Sequence, residues 1–353
     1  MPGRGQLLLF AAALAATVAS GALDLLEVGA IPTFVASALA LALLAGMVSE
    51  ATDQLGRHVG PGAGGVIQSA LGNLPELLVS IFALRQGLDT LVRYSLIGSI
   101  LSNSLLVLGL SFLVGGFRRG ALTFRTEAPR MIATLLVLAV AALTLPTLAA
   151  VLHTPAAKHE AVLSTVCAVV LLTVFAASIP STLRYGQRIP AEEQEEDADP
   201  PWSLWTTLAV LGASGVAAAL VSDWFTGALK PATTALGLSQ GFTGLVIVAI
   251  AGNAVEHSVG IVLAARGKGD YAVSVVLNSA LQVALVVIPV VVLASWFVTG
   301  TVFTLVLPGL LVAAVFFAAL LSAVIVFDGR GDTVEGAALV GLYGMMAAAV
   351  WWG

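Results

Sequence analysis

Runs of about 20 apolar residues recur along this chain, and no other feature limits its possible folds as strongly. A helix of about 20 residues spans the roughly 30 Å hydrocarbon core of a bilayer. Charged residues make up 10% of the 353 residues and the mean hydropathy is +1.02, whereas soluble domains carry about 25% charged residues. The composition therefore excludes an ordinary soluble enzyme and a disordered chain, and it predicts an all-α polytopic membrane protein.

The spacing of the apolar runs predicts eleven membrane-spanning helices, which places the two termini on opposite sides. The runs lie near residues 7–23, 31–49, 64–84, 92–115, 131–152, 160–180, 203–222, 240–265, 271–297, 301–327 and 336–352. With the N-terminus in the cytoplasm, the basic residues that fall outside are only Arg85, Arg93, Lys158 and Lys230. The positive-inside rule therefore predicts a multi-pass protein of the cell membrane with the N-terminus inside and the C-terminus outside.

The first apolar run has a second interpretation. Arg4, an apolar stretch and the small residues Ala19, Ser20 and Gly21 also fit a cleavable signal peptide. The predicted orientation of every later helix is the same in both cases.

An acidic tract at residues 184–201 divides the chain. It is expected in the cytoplasm, either as a solvated linker or as a segment that attracts cations, and its acids are Glu192, Glu193, Glu195, Glu196, Asp197 and Asp199. The predicted organisation is an extra N-terminal helix (1–30), a first five-helix repeat (31–184), an acidic linker (185–202) and a second five-helix repeat (203–353).

An internal repeat is the strongest functional signal. The pattern Gly-Asn-x-x-Glu begins at Gly72 and again at Gly252, and Ser99 and Ser279 follow the two glutamates at the same spacing. Such a match indicates a duplicated unit. Because five helices per unit is an odd number, the second copy enters the membrane in the opposite direction, as in the inverted repeats of secondary transporters.

Glu76 and Glu256 are the two acidic residues predicted to lie deep in the membrane. Counted from Gly64 and Gly244, where their spans start, each lies about 12 residues along, which is roughly 18 Å and close to the bilayer midplane. A buried carboxylate is costly, so it serves either as a protonated structural group or as part of a cation or proton site. The symmetric pair, each preceded by Gly-Asn, favours the site.

The neighbouring side chains supply oxygen atoms, which suit a hard cation such as Ca²⁺. They are Asn73, Asn253, Ser99, Ser102, Ser279, Asn103 and Gln282. Gly72, Gly252 and Pro75 are poor helix formers, so a helix break is expected there that would add backbone carbonyls. His257 follows Glu256 and is interpreted either as a buried structural histidine or as a group that assists proton coupling.

These motifs resemble a known family. The segments GNLPELLVSIFAL, GSILSNSLLVLGLSFLVGG, GNAVEH and SALQVALVVIP are similar to the signature repeats of the Ca²⁺/H⁺ antiporters, the cation/proton exchanger branch of the calcium/cation antiporter superfamily. The resemblance implies H⁺-driven Ca²⁺ export by alternating access. It also implies that Glu76 and Glu256 exchange Ca²⁺ for protons, supported by Asn73, Asn253, Ser99, Ser279 and Gln282.

Two departures from the family pattern bear on ion selectivity. Leu74 and Pro75 replace two small apolar residues, and Asn278 replaces the usual glycine before Ser279. The alternative is therefore an exchanger of Na⁺ or K⁺ for H⁺, or of Na⁺ for Ca²⁺, on the same scaffold.

Other classes of function have weaker support. A channel would differ by lacking proton dependence, and an intramembrane hydrolase lacks an evident partner for His257 and Ser258. The single cysteine, Cys167, excludes a disulfide framework. The net charge of −5 argues against a nucleic-acid partner, and the sequence contains no nucleotide-binding loop that would drive pumping by ATP. No enzymatic activity and no cofactor are expected. The expected substrates are Ca²⁺ and H⁺, and lipid is expected to surround the protein.

Overall fold

The computed structural model describes residues 3–59, 67–68, 71–186 and 202–352. These residues are mostly helical, and their one sheet is a two-stranded antiparallel ribbon that pairs Leu122–Thr123 (β1) with Arg330–Gly331 (β2). The helices before the acidic tract are α1 (Arg4–Leu25), α2 (Ala30–Val59), α3 (Leu74–Arg85), α4 (Asp89–Leu101), α5 (Leu108–Arg119), α6 (Glu127–Val151) and α7 (Glu160–Gly186). Those after it are α8 (Leu204–Leu236), α9 (Gln240–Phe242), α10 (Ala249–Gly252), α11 (Ala254–Ala265), α12 (Gly269–Gln282), α13 (Ile288–Thr299), α14 (Gly309–Ile325) and α15 (Thr333–Trp351).

Shorter helical segments join several of these helices. Three π-helical segments, π1 (Ser102–Val107), π2 (Thr243–Val248) and π3 (Val283–Val287), connect α4 to α5, α9 to α10 and α12 to α13, and a 3₁₀ turn at Pro155–His159 precedes α7. A π-helical turn in a longer helix often marks a functional position.

Eight helices in the described part of the chain are long and apolar enough to cross a membrane, and a bent helix pair would make a ninth. Gly309–Ile325 is a shorter apolar helix of 17 residues. The span predicted at residues 64–84 lies partly outside the described residues, as does most of the acidic linker. A multi-pass helical membrane protein is therefore confirmed, and the number of eleven helices stays a prediction.

The span predicted at 301–327 was wrong at its start, where the chain is not helical. Residues 301–308, which the apolar pattern predicts as the start of a helix, lie outside regular secondary structure, and helix α14 starts at Gly309. Pro308 disfavours a helical conformation in the residue before it. The non-helical backbone has side-chain partners, because Ser164 Oγ accepts from Leu305 N at 2.9 Å and Thr147 Oγ1 accepts from Leu307 N at 2.8 Å.

Helix α8 extends beyond its predicted end. The span predicted at 203–222 continues as a helix to Leu236, so Lys230 lies within the helix and not in a loop. Pro231 is accommodated inside this helix.

The chain forms two compact units, and each combines segments from both predicted repeats. The first unit comprises residues 1–82 and 173–236, and the second comprises residues 83–172 and 237–353. The predicted division along the sequence concerns repeats and not compact units, so it stays a prediction.

In the first unit, α2 packs along α8 and α1 packs against both. Ser20 Oγ of α1 lies 2.5 Å from Ser37 Oγ of α2, and the rings of Phe34 and Phe225 stack with centroids 5.1 Å apart. Trp202, which follows the acidic tract, is buried, and its indole Nε1 donates to Gln6 Oε1 at 3.2 Å. Helix α1 is therefore an integral part of the packing of this unit.

In the second unit, α4 packs closely against π2. A Cβ atom on Gly98 would lie 2.6 Å from the Leu245 backbone, and a Cβ atom on Gly244 would lie 2.6 Å from Leu91 O. These two positions therefore require glycine. The same unit contains α5 against α15 and α11 against α12.

The backbone repeats with the same spacing as the Gly-Asn-x-x-Glu pattern. Helix α11 begins and ends as many positions after α3 as Gly252 lies after Gly72. The same offset separates both ends of α13 from those of α5. Left-handed glycines occur at matching positions after α3 and α11, where φ is +69° at Gly87 and +77° at Gly267. The positions that carry the predicted site thus have the same local structure in both copies.

Candidate ion-binding site

The Gly-Asn pair breaks the helix in the second copy. Helix α10 ends at Gly252, Asn253 has φ −101° and ψ +17°, and α11 begins at Ala254. The two segments, Gln240–Gly252 and Ala254–Ala265, meet at 65°. The break predicted from the poor helix formers is therefore present, and it places Glu256 in the first turn of α11. A carboxylate there faces the positive end of the helix dipole.

The first copy has the same arrangement. Gly72 and Asn73 form a turn, α3 begins at Leu74, and Glu76 lies in its first turn. A Cβ atom on Gly72 would lie 2.6 Å from Gln68 O, which explains the glycine. Pro75 occupies the second helical position, where proline is favoured because the first turn needs no amide donors. Pro75 therefore fits the start of α3 although it departs from the family pattern.

Asn73 and Glu76 are both buried, at 4% and 7% exposure. They lie in the first unit, whereas the other predicted ligands lie in the second.

A cluster of neutral polar side chains surrounds Asn253 in the second unit. Asn253 Nδ2 donates to Ser99 Oγ at 3.0 Å and to Ala249 O at 2.8 Å. Asn253 Oδ1 accepts from Ser279 Oγ at 3.4 Å. The structure therefore brings together three of the predicted ligands, Asn253, Ser99 and Ser279, and all three are buried.

Asn103, which the sequence indicates only as a neighbouring polar group, completes this cluster. Its Nδ2 donates to Ser279 Oγ at 3.1 Å, to Asn253 Oδ1 at 3.3 Å and to Ser99 O at 3.0 Å. Asn103 Oδ1 is buried, and no hydrogen-bond donor reaches it within the described structure. The signal in the sequence is its position four residues after Ser99, which puts both side chains on one face of a helix.

The remaining predicted residues in this unit lie a few positions along the chain from members of the cluster. Gln282 is the last residue of α12, immediately before π3, and Glu256 is half-buried. His257 is buried, and its Nε2 lies 3.4 Å from Ser102 Oγ. This contact is compatible with both interpretations of His257.

The chemistry of the cluster suits an oxygen-seeking cation. Its groups are amides and hydroxyls, with one carboxylate three residues after Asn253. Among the described residues, no group of three or more His, Cys, Asp or Glu side chains could hold a metal ion. Neutral oxygens with few carboxylates bind hard cations reversibly, as transport requires.

Comparison with known sequences identifies relatives over most of the chain. The family described as sodium/calcium exchanger protein matches residues 29–181 and 206–352. The Ca²⁺/H⁺ antiporter ChaA of Bacillus subtilis is 36% identical over 308 residues, which cover 86% of this chain and 87% of the relative. The Ca²⁺/H⁺ antiporter of Aphanothece halophytica is 34% identical over 333 residues, which cover 88% of this chain and 87% of the relative.

Solved structures show the same fold. The structure of native YfkE matches with a TM-score of 0.82 and 30% identity, covering 97% of this chain and 99% of YfkE. The H⁺/Ca²⁺ exchanger CAX matches with a TM-score of 0.71, covering 95% of this chain and 91% of its own, and at 16% identity this match concerns the fold alone. The resemblance seen in the sequence motifs is confirmed, and the chain belongs to the sodium/calcium exchanger protein family.

Proposed function

We propose that this protein is a secondary active Ca²⁺/H⁺ antiporter that exports Ca²⁺ from the cytoplasm by alternating access, driven by the proton gradient. Relatives that are 34% and 36% identical over most of the chain carry the name Ca²⁺/H⁺ antiporter. The sodium-coupled alternative has less support, because the sodium–calcium exchanger NCX_Mj is only 20% identical.

The observation that carries the proposal is the helix break at Gly-Asn, which occurs in both copies. Each break is followed by a glutamate in the first turn of the next helix. In the second unit, the break is stabilised by a buried cluster of amide and hydroxyl groups. Broken helices inside a membrane are typical of transporter ion sites, where half-helix ends and side-chain oxygens meet the ion.

The proposed roles follow from the type of oxygen at each position. Glu76 and Glu256 bind Ca²⁺ when ionised and carry protons when Ca²⁺ is absent. Neutral oxygens support the ion, from Asn73, Asn253, Ser99, Ser279 and Gln282. His257 assists proton coupling as a neighbour of Glu256, and the structure adds Asn103 Oδ1 as a further oxygen.

The proposed topology keeps eleven helices, with the N-terminus in the cytoplasm and the C-terminus outside. An extra helix precedes two inverted five-helix repeats, at residues 31–184 and 203–353, and the acidic linker joins them on the cytoplasmic side. The separate family matches to residues 29–181 and 206–352, and the common offset of the helix bounds, support two copies.

Ion flux in proteoliposomes tests the proposal. With an imposed pH gradient, the protein should accumulate Ca²⁺ in preference to Na⁺ and K⁺, with Mn²⁺ as a further comparison. Glu76→Gln and Glu256→Gln should each reduce exchange to the background of empty liposomes, because Gln has nearly the same shape but cannot carry the exchanged charge.

A matched control and a folding test keep the result interpretable. Glu127 also lies in the first turn of a helix but is exposed, so Glu127→Gln should transport like the parent. Each variant should elute as the parent does in size-exclusion chromatography. Exchange retained in either site variant would contradict the proposed carboxylate roles.

A further inference from the structure

Basic residues gather at one end of the second unit, where α5 and α11 finish. Arg118 Nη1 donates to Ala265 O at 3.2 Å, and Arg119 Nη2 donates to Arg266 O at 2.8 Å. Two guanidinium groups are thus fixed at the C-terminal end of α11, where positive charge is favourable. Lys268 lies two residues after Arg266.

The β-ribbon brings a further cation to the same surface. Thr123 pairs with Arg330, and Thr123 O lies against Gly269, next to Lys268. The exposed side chains that form this surface, called here the basic surface, are Arg118, Arg119, Arg125, Arg266, Lys268 and Arg330.

Three of the acidic residues nearby have partners. Asp270 Oδ2 lies 3.9 Å from Arg125 Nε. Asp328 Oδ1 accepts from Arg330 N at 3.1 Å, and Asp332 caps α15 by accepting from Val334 N at 2.8 Å.

Five of the six cations of the basic surface keep a charge that no salt bridge neutralises. Among the described residues, no carboxylate lies within salt-bridge distance of Arg118, Arg119, Arg266, Lys268 or Arg330. A surface with fixed guanidinium groups and free cations is complementary to a phosphate diester.

Exposed aromatic rings flank these cations. Phe117 is 76% exposed next to Arg118, and Phe327 is 64% exposed. The guanidinium of Arg130 lies 4.0 Å from the centroid of the Phe327 ring. Apolar rings beside guanidinium groups match the boundary between acyl chains and headgroups in a bilayer.

We propose that the basic surface binds the headgroup phosphate of an anionic phospholipid, with Phe117 and Phe327 against its acyl chains. The inference is independent of the transported ion. In the proposed topology this lipid belongs to the cytoplasmic leaflet, where anionic headgroups attract clustered basic residues.

Lipid titration measured by native mass spectrometry tests the proposal. The detergent-solubilised full chain is titrated with phosphatidylglycerol or with phosphatidylcholine of the same acyl chains. The parent should retain phosphatidylglycerol selectively. The variant Arg266→Gln/Lys268→Gln should bind it at least about tenfold more weakly, since it loses two surface cations.

The matched control removes two exposed cations elsewhere. Lys158→Gln/Lys230→Gln should bind phosphatidylglycerol as the parent does, because neither lysine belongs to the basic surface. Equal losses in the two double variants, or equal retention of the two lipids by the parent, would overturn the proposal.

Two further measurements test whether another anion, and not a lipid, occupies the basic surface. Displacement of the lipid by inorganic phosphate, but not by chloride at the same ionic strength, would identify a free-anion site and overturn the assignment to lipid. Replacing Glu192, Glu193, Glu195 and Glu196 by Gln should leave lipid affinity unchanged. Tighter lipid binding in that variant would show that the acidic tract occupies the surface instead.

Discussion

Asn253 makes four side-chain hydrogen bonds, which link the helix break to α4, π1 and α12. Its replacement would leave the polar groups of Ser99, Ser279 and Asn103 with fewer partners. An unsatisfied buried polar group costs about 1–3 kcal/mol. Asn253 therefore matters for the geometry of the site as well as for its oxygen.

We predict that Asn253→Ala raises the Ca²⁺ concentration for half-maximal exchange about tenfold or more, which corresponds to about 1.4 kcal/mol. Ser279→Ala should have a smaller effect, because it removes one hydroxyl and leaves the amide network in place. Initial rates across Ca²⁺ concentrations in proteoliposomes measure both. Ser258→Ala is the control, since Ser258 is exposed and its hydroxyl donates to Ala254 O at 2.7 Å. A parental Ca²⁺ dependence in Asn253→Ala would contradict this prediction.

At the scale of single residues, sequence reasoning found the side chains that recur in both copies. Asn253 has its counterpart in Asn73, and Ser99 has its counterpart in Ser279. Val283 occupies the position that matches Asn103, so Asn103 does not belong to the repeated pattern. The place of Asn103 in the cluster depends on how α4 and α12 cross, and that geometry is absent from the sequence.

At the scale of elements, local chemistry predicted the helix breaks but not the non-helical segment. Glycine and asparagine are poor helix formers, which favours a break at Gly-Asn, and both breaks are present. Residues 301–308 are apolar, and their non-helical backbone has partners far along the chain, including Ser164 and Thr147. Apolar composition alone does not distinguish an apolar helix from an apolar segment that is not helical.

The close packing of α4 against π2 at Gly98 predicts how a substitution there affects stability. Gly98→Ala should lower stability by about 1–3 kcal/mol, because its Cβ would lie 2.6 Å from the Leu245 backbone, which cannot move as a side-chain end does. Gly341→Ala is the control, since nothing lies within 4 Å of its Cβ position. Thermal unfolding of the two purified variants in the same detergent compares them. Equal midpoints would mean that α4 and π2 separate without cost.

At the scale of the whole molecule, the sequence predicted the class of protein, whereas it does not show the two spatial units. Hydropathy and motif spacing follow the order of the chain, and the predicted helix number and repeats rest on them alone. The units join residues 1–82 with 173–236, and residues 83–172 with 237–353. Such a division arises from long-range packing, for example of α2 along α8.

The pH dependence of Ca²⁺ binding is the prediction that belongs to the whole transporter. Ca²⁺ binds the ionised form of a carboxylate, so its binding must release any protons that Glu76 and Glu256 hold. Apparent Ca²⁺ affinity should therefore rise with pH between about pH 6 and 8, by up to about two decades per pH unit if both carboxylates release a proton. Calorimetry in buffers of different ionisation enthalpy counts the released protons, and Glu256→Gln should release fewer of them than the parent. A count of zero together with an affinity that is flat across this range would remove the basis for proton coupling, and it would favour the sodium-coupled alternative on the same fold.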